Sequence, residues 1–379
     1  MLYSAIGLMS GSSMDGLDIV FVHLDSNAGK WNYEIRQKAC YPYSNEWKEK
    51  LRSAIHLPAP DYLALHAAFG HYLGKEVNRF IQEYQLQYQV QLISSHGHTV
   101  FHNPSQKMTA QLGDGAAIAA ETGINTISDL RAMDIALGGQ GAPIVPIGEK
   151  LLLEEYPFFL NLGGIANISA HIQRPGNADK TSPDQDEFIA FDICPANRIL
   201  NMLAAEKAKE FDNGGEMAAA GKTNQDLLTQ LNGFEYYKKA FPKSLDNAFG
   251  VSELFPIIAA SNDSIENKLN TYAEHICYQI GYSINKLLRN MPAGVNAKKI
   301  LVCGGGAHNA FLVSRLTAVL DAMEVKVVVP EPTLVDFKEA LIMAFIGVLR
   351  WREENNVLAS VTGAKRNSIG GAVWIGQEA

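Results

Sequence analysis

Three short segments of this chain carry glycine, hydroxyl and carboxylate groups at spacings that suit phosphate chemistry: Gly7-Leu-Met-Ser-Gly-Ser-Ser-Met-Asp-Gly-Leu-Asp18, Asn161-Leu-Gly-Gly-Ile-Ala-Asn-Ile168 and Cys303-Gly-Gly-Gly-Ala-His-Asn309. The first two set a glycine-containing turn between two aliphatic runs, and the third sets three glycines between a strand and a helix. Glycine and serine let main-chain N–H groups and the hydroxyls of Ser12 and Ser13 approach phosphate oxygens. Asp15 and Asp18 can hold Mg²⁺ directly or through water. Gly304, Gly305 and Gly306 leave a strand end unobstructed, and the helix that follows offers its N-terminus to an anion or an adenine edge. A Gly/Ser/Asp turn alone is an ordinary hairpin. Three such loops in one chain describe a cleft built around the phosphates of a nucleotide. The third is neither a dinucleotide-binding fingerprint nor a Walker P-loop.

Other residues supply proton and substrate chemistry. Asp192 ends the apolar run Phe188-Ile-Ala-Phe191, so its carboxylate can act as a general base toward water or a sugar hydroxyl; an Asp shortly before Pro195 and a helix is equally good N-cap chemistry. Arg131, beside Asp134, can grip a carboxylate in two hydrogen bonds or form a surface ion pair. Glu339 reads either as a cleft-facing carboxylate or as favourable charge near a helix N-terminus. His96, His98 and His102 form H-x-H-x-x-x-H, but no nearby Cys or Glu completes a zinc site. Gly97 and Pro104 instead make this a substrate-lining loop.

These residues need a scaffold. At 379 residues the chain exceeds the single-core limit of about 250 to 300 residues, so two domains are expected. With 47% hydrophobic and 19% charged residues it has apolar material for two cores. A net charge of −8 leaves no basic stripe for nucleic acid. Four scattered cysteines without a C-x-x-C pair argue against a disulfide framework. Neither a signal-peptide pattern nor a run of about 18 apolar residues is seen, so the expectation is a cytoplasmic protein without membrane partners.

The element pattern is a hairpin over residues 5 to 24, a strand before residue 42, and a helix from Asp61 to Tyr84 with Asp61 as cap. Strands follow at 90–94 and 125–129, with a helix over 116–122 between them. The loop Leu137-Gly-Gly-Gln-Gly-Ala-Pro143 suits a crossing between domains, giving 1–140, completed by about 358–379, and 141–357. Beyond it come the strand-turn-strand 158–168, a polar insertion at 173–186, a strand 187–192, helices over 197–209, 264–289, 308–320 and 337–354, and strands 299–303 and 325–329. The two halves open with similar units, which suggests duplication. Alternating strands and helices make the fold α/β.

Taken together, Gly7 to Asp18, Ser95-His-Gly-His-Thr-Val100, Gln111-Leu-Gly-Asp114, Asp129-Leu-Arg131 with Asp134, Gly138-Gly-Gln-Gly-Ala-Pro143, Asn161 to Ile168, Asp192, Cys303 to Asn309 and Val361-Thr-Gly-Ala364 resemble the anhydro-N-acetylmuramic acid kinases. That family is a branch of the superfamily joining sugar kinases, heat-shock chaperone ATPases and actin. The resemblance implies a two-domain actin-like (ribonuclease H-like) fold with a cleft between domains. It also implies an enzyme that uses ATP and Mg²⁺ to open the 1,6-anhydro bridge with water and phosphorylate O6, and it allows a homodimer. By carry-over Asp192 is the base. Gly11, Ser12, Ser13, Met14, Asp15, Gly16, Leu17 and Asp18 bind ATP phosphates with the metal on Asp15 and Asp18. Gly163 and Gly164 belong to the same nucleotide site, and Gly304, Gly305, Gly306 and Asn309 flank adenosine. His96, Arg131, Asn197 and Glu339 contact sugar or water.

The chain departs from the family pattern Gly-Phe-Asp-Thr-Gly-Pro-Gly-Asn, having Ala190-Phe-Asp-Ile-Cys-Pro-Ala-Asn197, so Cys194 and Ala196 are expected to add side chains where sugar or phosphate approaches. His98 replaces a glutamine, Ser12 a threonine, and Pro242-Lys-Ser-Leu-Asp246 lacks a Thr-Gly. Two other readings follow: a kinase for another anhydro or ordinary sugar, and a nucleotide-switched binding protein.

Overall fold

A computed structural model describes residues 1–11, 14–173, 186–241, 243–289 and 298–376. Ser12 and Ser13 therefore lie outside the described residues, as does 174–185 of the expected insertion. The chain forms two compact units, 1–154 with 337–379, and 155–336. The glycine loop had suggested breaks near 140 and 358. Instead the loop stays within the first unit, because Asp134 holds it: its main-chain carbonyl accepts from Gly139 N and its Oδ2 from Gly141 N at 2.8 Å, while Thr362 donates its hydroxyl to Oδ1 at 2.7 Å.

The first unit contains β1 (Leu2–Ser10), β2 (Gly16–Asn27), β3 (Lys30–Pro42), β4 (Leu92–Ser95), β5 (His98–Asn103), β6 (Met108–Leu112), β7 (Thr126–Ser128) and a late strand, β13 (Ala372–Trp374). The main sheet runs β13-β7-β4-β1-β2-β3, antiparallel from β1 to β3 and parallel from β1 through β4 to β7. Helix Ala59–Glu83 covers it with Phe69, Leu73, Val77 and Phe80, spaced at helical period and fully buried. Its N-cap is Pro58; Asp61 sits inside the first turn, where it complements the helix dipole rather than capping.

From Phe337 onward, helix Pro332–Trp351 also belongs to this unit. It comes so close to β1 that a Cβ on Gly7 would collide with the Ala340 carbonyl and lie 2.8 Å from Ala344 N. β13 then pairs with β7, and Trp374 Nε1 donates to Ser128 Oγ at 3.0 Å.

The second unit contains β8 (Phe158–Leu162), β9 (Ile165–Gln173), β10 (Asp186–Pro195), β11 (Lys299–Cys303) and β12 (Lys326–Val328), in sheet order β10-β9-β8-β11-β12. Counted within each main sheet, both share one plan: three antiparallel strands, then two parallel strands on the far side of the first, order 3-2-1-4-5, to which β13 adds a sixth, antiparallel strand in the first unit. The duplication suggested by the similar openings of the halves is thus present in topology. It is the α/β architecture expected of the actin-like ATPase fold. Helix Ile265–Leu288, capped by Ser264 onto Asn267 N, buries Leu269, Ile276, Ile280, Ile284 and Leu287 against this sheet.

Gly7→Val should fold poorly, because its branched side chain has no space before the Ala340 carbonyl. A loss on the order of 1–3 kcal/mol or more is expected from overpacking, read as a lowered Tm in thermal unfolding.

Candidate active site

In the second unit, the parallel partners β8 and β11 end side by side, with Asn161 opposite Cys303. The turn Gly163-Gly164 and the loop Gly304-Gly305-Gly306 therefore lie next to one another. Their glycines have different reasons. Gly304 has φ +84°, and a Cβ there would strike Asn161 Oδ1 and come within 3.0 Å of Leu162 O; one on Gly306 would lie 2.7 Å from Leu162 Cβ. At Gly163, Gly164 and Gly305 an added Cβ meets nothing closer than 3.4 Å, 3.9 Å and 3.6 Å. Packing within the unit does not demand glycine at these three positions, so space is left for an approaching ligand.

The helix expected over 308–320 begins two residues later. A 3₁₀ turn, Gly305–His308, intervenes, and Asn309 caps helix Ala310–Asp321 by accepting from Leu312 N at 2.9 Å. Asn309 Oδ1 also lies against Gly215, in a Gly214-Gly215 turn supported by Asp212, whose carboxylate accepts from Met217 N and Ala218 N at 2.9 Å each. Asn197 donates to Leu162 O at 2.8 Å, and its Oδ1 sits behind Gly306. Its side chain ties the two glycine turns together.

Asp192 lies on β10 opposite Asn167. It does not cap helix Asn197–Ala205; the Gly163 and Gly164 carbonyls accept from Asn197 N and Arg198 N instead. Among the described residues both side-chain bonds to Asp192 reach Oδ2, from Leu245 N at 2.9 Å and Ser244 Oγ at 3.2 Å. Burial pushes the carboxyl above its ordinary 3.8, and these two donors pull partly back. Its carbonyl accepts from Tyr236 Oη at 2.7 Å. Cys194 and Ala196, expected to crowd the ligand, are 0% exposed and belong to the second unit's core.

In the first unit, the carboxyl end of β4 turns at Gly97, with His96 N donating to Leu8 O. His96 and His98 flank this turn, so they do not share a strand face. His96 Nδ1 lies 2.8 Å from Gly97 O, and Arg131 Nε donates to His96 Nε2 at 3.0 Å. The two contacts assign the proton to Nδ1 and require a neutral ring. Burial first, then Arg131, lowers the His96 pKa to about 3. Arg131 is itself lowered by burial to about 10, with Glu339 opposing. His98 Nδ1 faces Ser10 Oγ at 3.2 Å, Tyr43 donates to that same oxygen at 2.7 Å, and His102 pairs with Thr109. Each imidazole thus has its own partner.

Glu339 is the eighth residue of helix Pro332–Trp351, too far in for the helix-terminus role. Crowded by protein although part of its surface stays accessible, its carboxyl is raised, with Lys338 and Arg131 pulling back and Glu149 adding to the rise. Asp134 serves the glycine loop, not Arg131.

At the first hairpin, Asp15 is exposed and its carbonyl accepts from Tyr43 N, while Asp18 is half-buried. Leu17 is 1% exposed and packs in the core, Met14 packs against that core, and Gly16 has no room for a Cβ beside Tyr41 O. Only main chain is left to these three for a ligand. No group of three His, Cys, Asp or Glu side chains among the described residues is placed to hold a metal ion. Two carboxylates suit a Mg²⁺ brought by nucleotide phosphates, which usually keeps several waters.

Sequence reasoning missed Ser244, Leu245 and the pair Lys338–Glu149. The pair had a legible signal, a lysine interrupting the apolar face Leu334, Val335, Leu341, Ile342. No helix among the described residues is long and apolar enough to cross a membrane.

A family model described as anhydro-N-acetylmuramic acid kinase matches residues 3–376. Curated relatives of that name include one from Shewanella amazonensis, 34% identical over 393 aligned residues and 97% of each chain. Another, from Vibrio parahaemolyticus, is 31% identical over 97% of each. Among solved structures, the activator of the 2-hydroxyisocaproyl-CoA dehydratase from Clostridium difficile is similar at TM-score 0.42 and 12% identity, covering 92% of this chain and 96% of its own.

Gly304→Ala and Gly305→Ala should part company. The first meets both a positive φ and a clash, costing about 1–3 kcal/mol or more, while the second should leave Tm unchanged. Thermal unfolding of both variants checks this.

Proposed function

The chain belongs to the anhydro-N-acetylmuramic acid kinase family, and on that premise we propose how its residues carry the reaction. It is a phosphotransferase that uses ATP to phosphorylate anhydro-N-acetylmuramic acid, the family's function in cell-wall recycling. In our reading Asp192 Oδ1 takes a proton from water as the water oxygen bonds to the anomeric carbon and the bond from that carbon to O6 breaks. The electron pair left on O6 attacks the γ-phosphorus, ADP departs, and the product is N-acetylmuramic acid 6-phosphate. The single observation that carries this is the Asp192 carboxylate: Oδ2 is fixed by Ser244 and Leu245, and its affinity for protons is raised toward the range a general base needs.

Gly163, Gly164 and Gly305 we assign to the nucleotide, because a ligand, not packing, explains their missing side chains. The hairpin from Gly11 to Asp18 would take phosphate on its main chain, with Asp15 and Asp18 toward Mg²⁺; the cation would neutralise charge on the transferring phosphoryl group. Arg131, oriented by neutral His96, would hold the sugar, and Glu339 the sugar or the water. We extend the reading to a cytoplasmic protein, in keeping with a family of soluble kinases. A kinase for a different sugar was suggested by residues 193 to 196, but the side chains of Cys194 and Ala196 are turned into the core, which removes its motivation.

Incubation with Mg-ATP and anhydro-N-acetylmuramic acid in ¹⁸O-labelled water should give a phosphorylated sugar carrying the label, by mass spectrometry; an unlabelled product, or ADP without modified sugar, would refute coupled opening and transfer. Asp192→Asn should lower kcat roughly 10²–10⁴-fold with nucleotide binding retained. Since the base works only as a carboxylate, activity should fall as pH drops through its raised pKa. Ser244→Ala removes a donor to that carboxylate and should move the acid limb of kcat/KM to higher pH.

A further inference from the structure

The first unit holds an ion pair that none of the chemistry above uses. Lys338 Nζ lies 2.6 Å from Glu149 Oε1, with the two side chains only 4% and 5% exposed. A buried pair of this kind pays a desolvation cost that its attraction barely offsets, and a well-packed apolar pair would often do as well for stability. Its position suggests another use. Lys338 directly precedes Glu339 in helix Pro332–Trp351, and Glu149 lies in helix Pro146–Leu152. These helices touch where Gly148 meets Ile342: a Cβ at Gly148 would lie 2.8 Å from Ile342 Cγ2. Helix Pro146–Leu152 follows the glycine loop held by Asp134, three residues after Arg131. The pair therefore staples the segment carrying Glu339 to the segment that leads back to Arg131.

We propose that the buried Lys338–Glu149 pair is a positioning device for the sugar-binding groups, fixing the place of Glu339 relative to the segment that leads back to Arg131. This rests on the reading that Glu339 contacts sugar or water. The charged groups that act on Glu339 are Lys338, Arg131 and Glu149; Glu339 acts in turn on Arg131, and Arg131 and His98 act on His96. Of the paired charges the favourable one, Lys338, acts more strongly on Glu339 than the unfavourable Glu149, so the pair as oriented favours the ionised form against the burial that raises its pKa. Reversing the pair would keep the attraction between positions 149 and 338 and reverse its effect on Glu339.

The test compares three variants in the full chain: the double neutral Lys338→Met with Glu149→Leu, the swap Lys338→Glu with Glu149→Lys, and Glu339→Gln. All are read by Tm, by KM for the sugar and for ATP, and by the pH dependence of kcat/KM. The neutral pair should stay folded, raise KM for the sugar by about tenfold, leave KM for ATP unchanged, and move the acid limb to higher pH. The swap should move that limb further in the same direction. If the swap or the neutral pair, while folded, keeps the native KM for the sugar and the native pH profile, the pair is structural only and the proposal fails while the site reading stands. If Glu339→Gln leaves sugar kinetics unchanged, the reading of Glu339 fails and the proposal with it. Should the swap not fold, the neutral pair alone decides.

Discussion

Main chain meeting main chain with no side chain between them is the constraint on which both units depend. Where helix Pro332–Trp351 crosses β1, Gly7 lets the Ala340 carbonyl approach, and one strand away Gly347 leaves room for the Ser94 side chain. Where β11 ends, Gly304 lets its backbone lie on Asn161 and Leu162. Each contact fixes an element to within the tolerance of a methyl group, since close-packed interiors have no room to relax. That tolerance is what chemistry needs: Glu339 sits one residue before the Ala340 carbonyl that Gly7 admits, and the Gly163–Gly164 turn adjoins the strand end that Gly304 admits. The same bareness that allows packing at Gly304 and Gly306 is unexplained by packing at Gly163, Gly164 and Gly305, and this contrast sets the glycines that packing requires apart from those it does not.

Desolvation is the second theme, acting with opposite sign on opposite charges. It raises Asp192 and Glu339 and lowers His96 and Arg131. What distinguishes these groups is the partner that answers burial. Asp192 is answered by two neutral donors, which temper its basicity without adding a charge. Glu339 is answered by cations, which favour a standing carboxylate. His96 is left neutral between a backbone carbonyl and a guanidinium, so it orients Arg131 without competing for its charge.

Much of this was legible in the residues. The hairpin of residues 5 to 24, the long helix after Pro58, and the strands 158–168 and 299–303 follow from period and turn chemistry, because their apolar faces are long and their breakers strong. The repetition of one sheet order was only faintly visible, since topology lies in pairings between strands remote in sequence. Helix ends were less legible. Pro58 displaces Asp61 as cap, and helix Pro332–Trp351 begins five residues earlier than its apolar pattern, which changes what Glu339 can be. The supports of Asp192 were invisible because Ser244 and Leu245 reach it from some fifty residues away.

The reversal at Cys194 has a local cause. Along a regular strand, residues 192 and 194 face the same way, so a motif that places a carboxylate at one would place the neighbouring side chain beside it. β10 is not regular there: Asp192 pairs with Asn167 and Cys194 with Ala166, leaving Ile193 as an extra residue opposite no partner of its own. Such a bulge breaks the alternation and re-aims the side chains around it. Asp192 stays partly accessible, while Ile193, Cys194 and Ala196 turn into the core with 1%, 0% and 0% exposure. Departures from the motif at Ile193, Cys194 and Ala196 therefore bear on packing here.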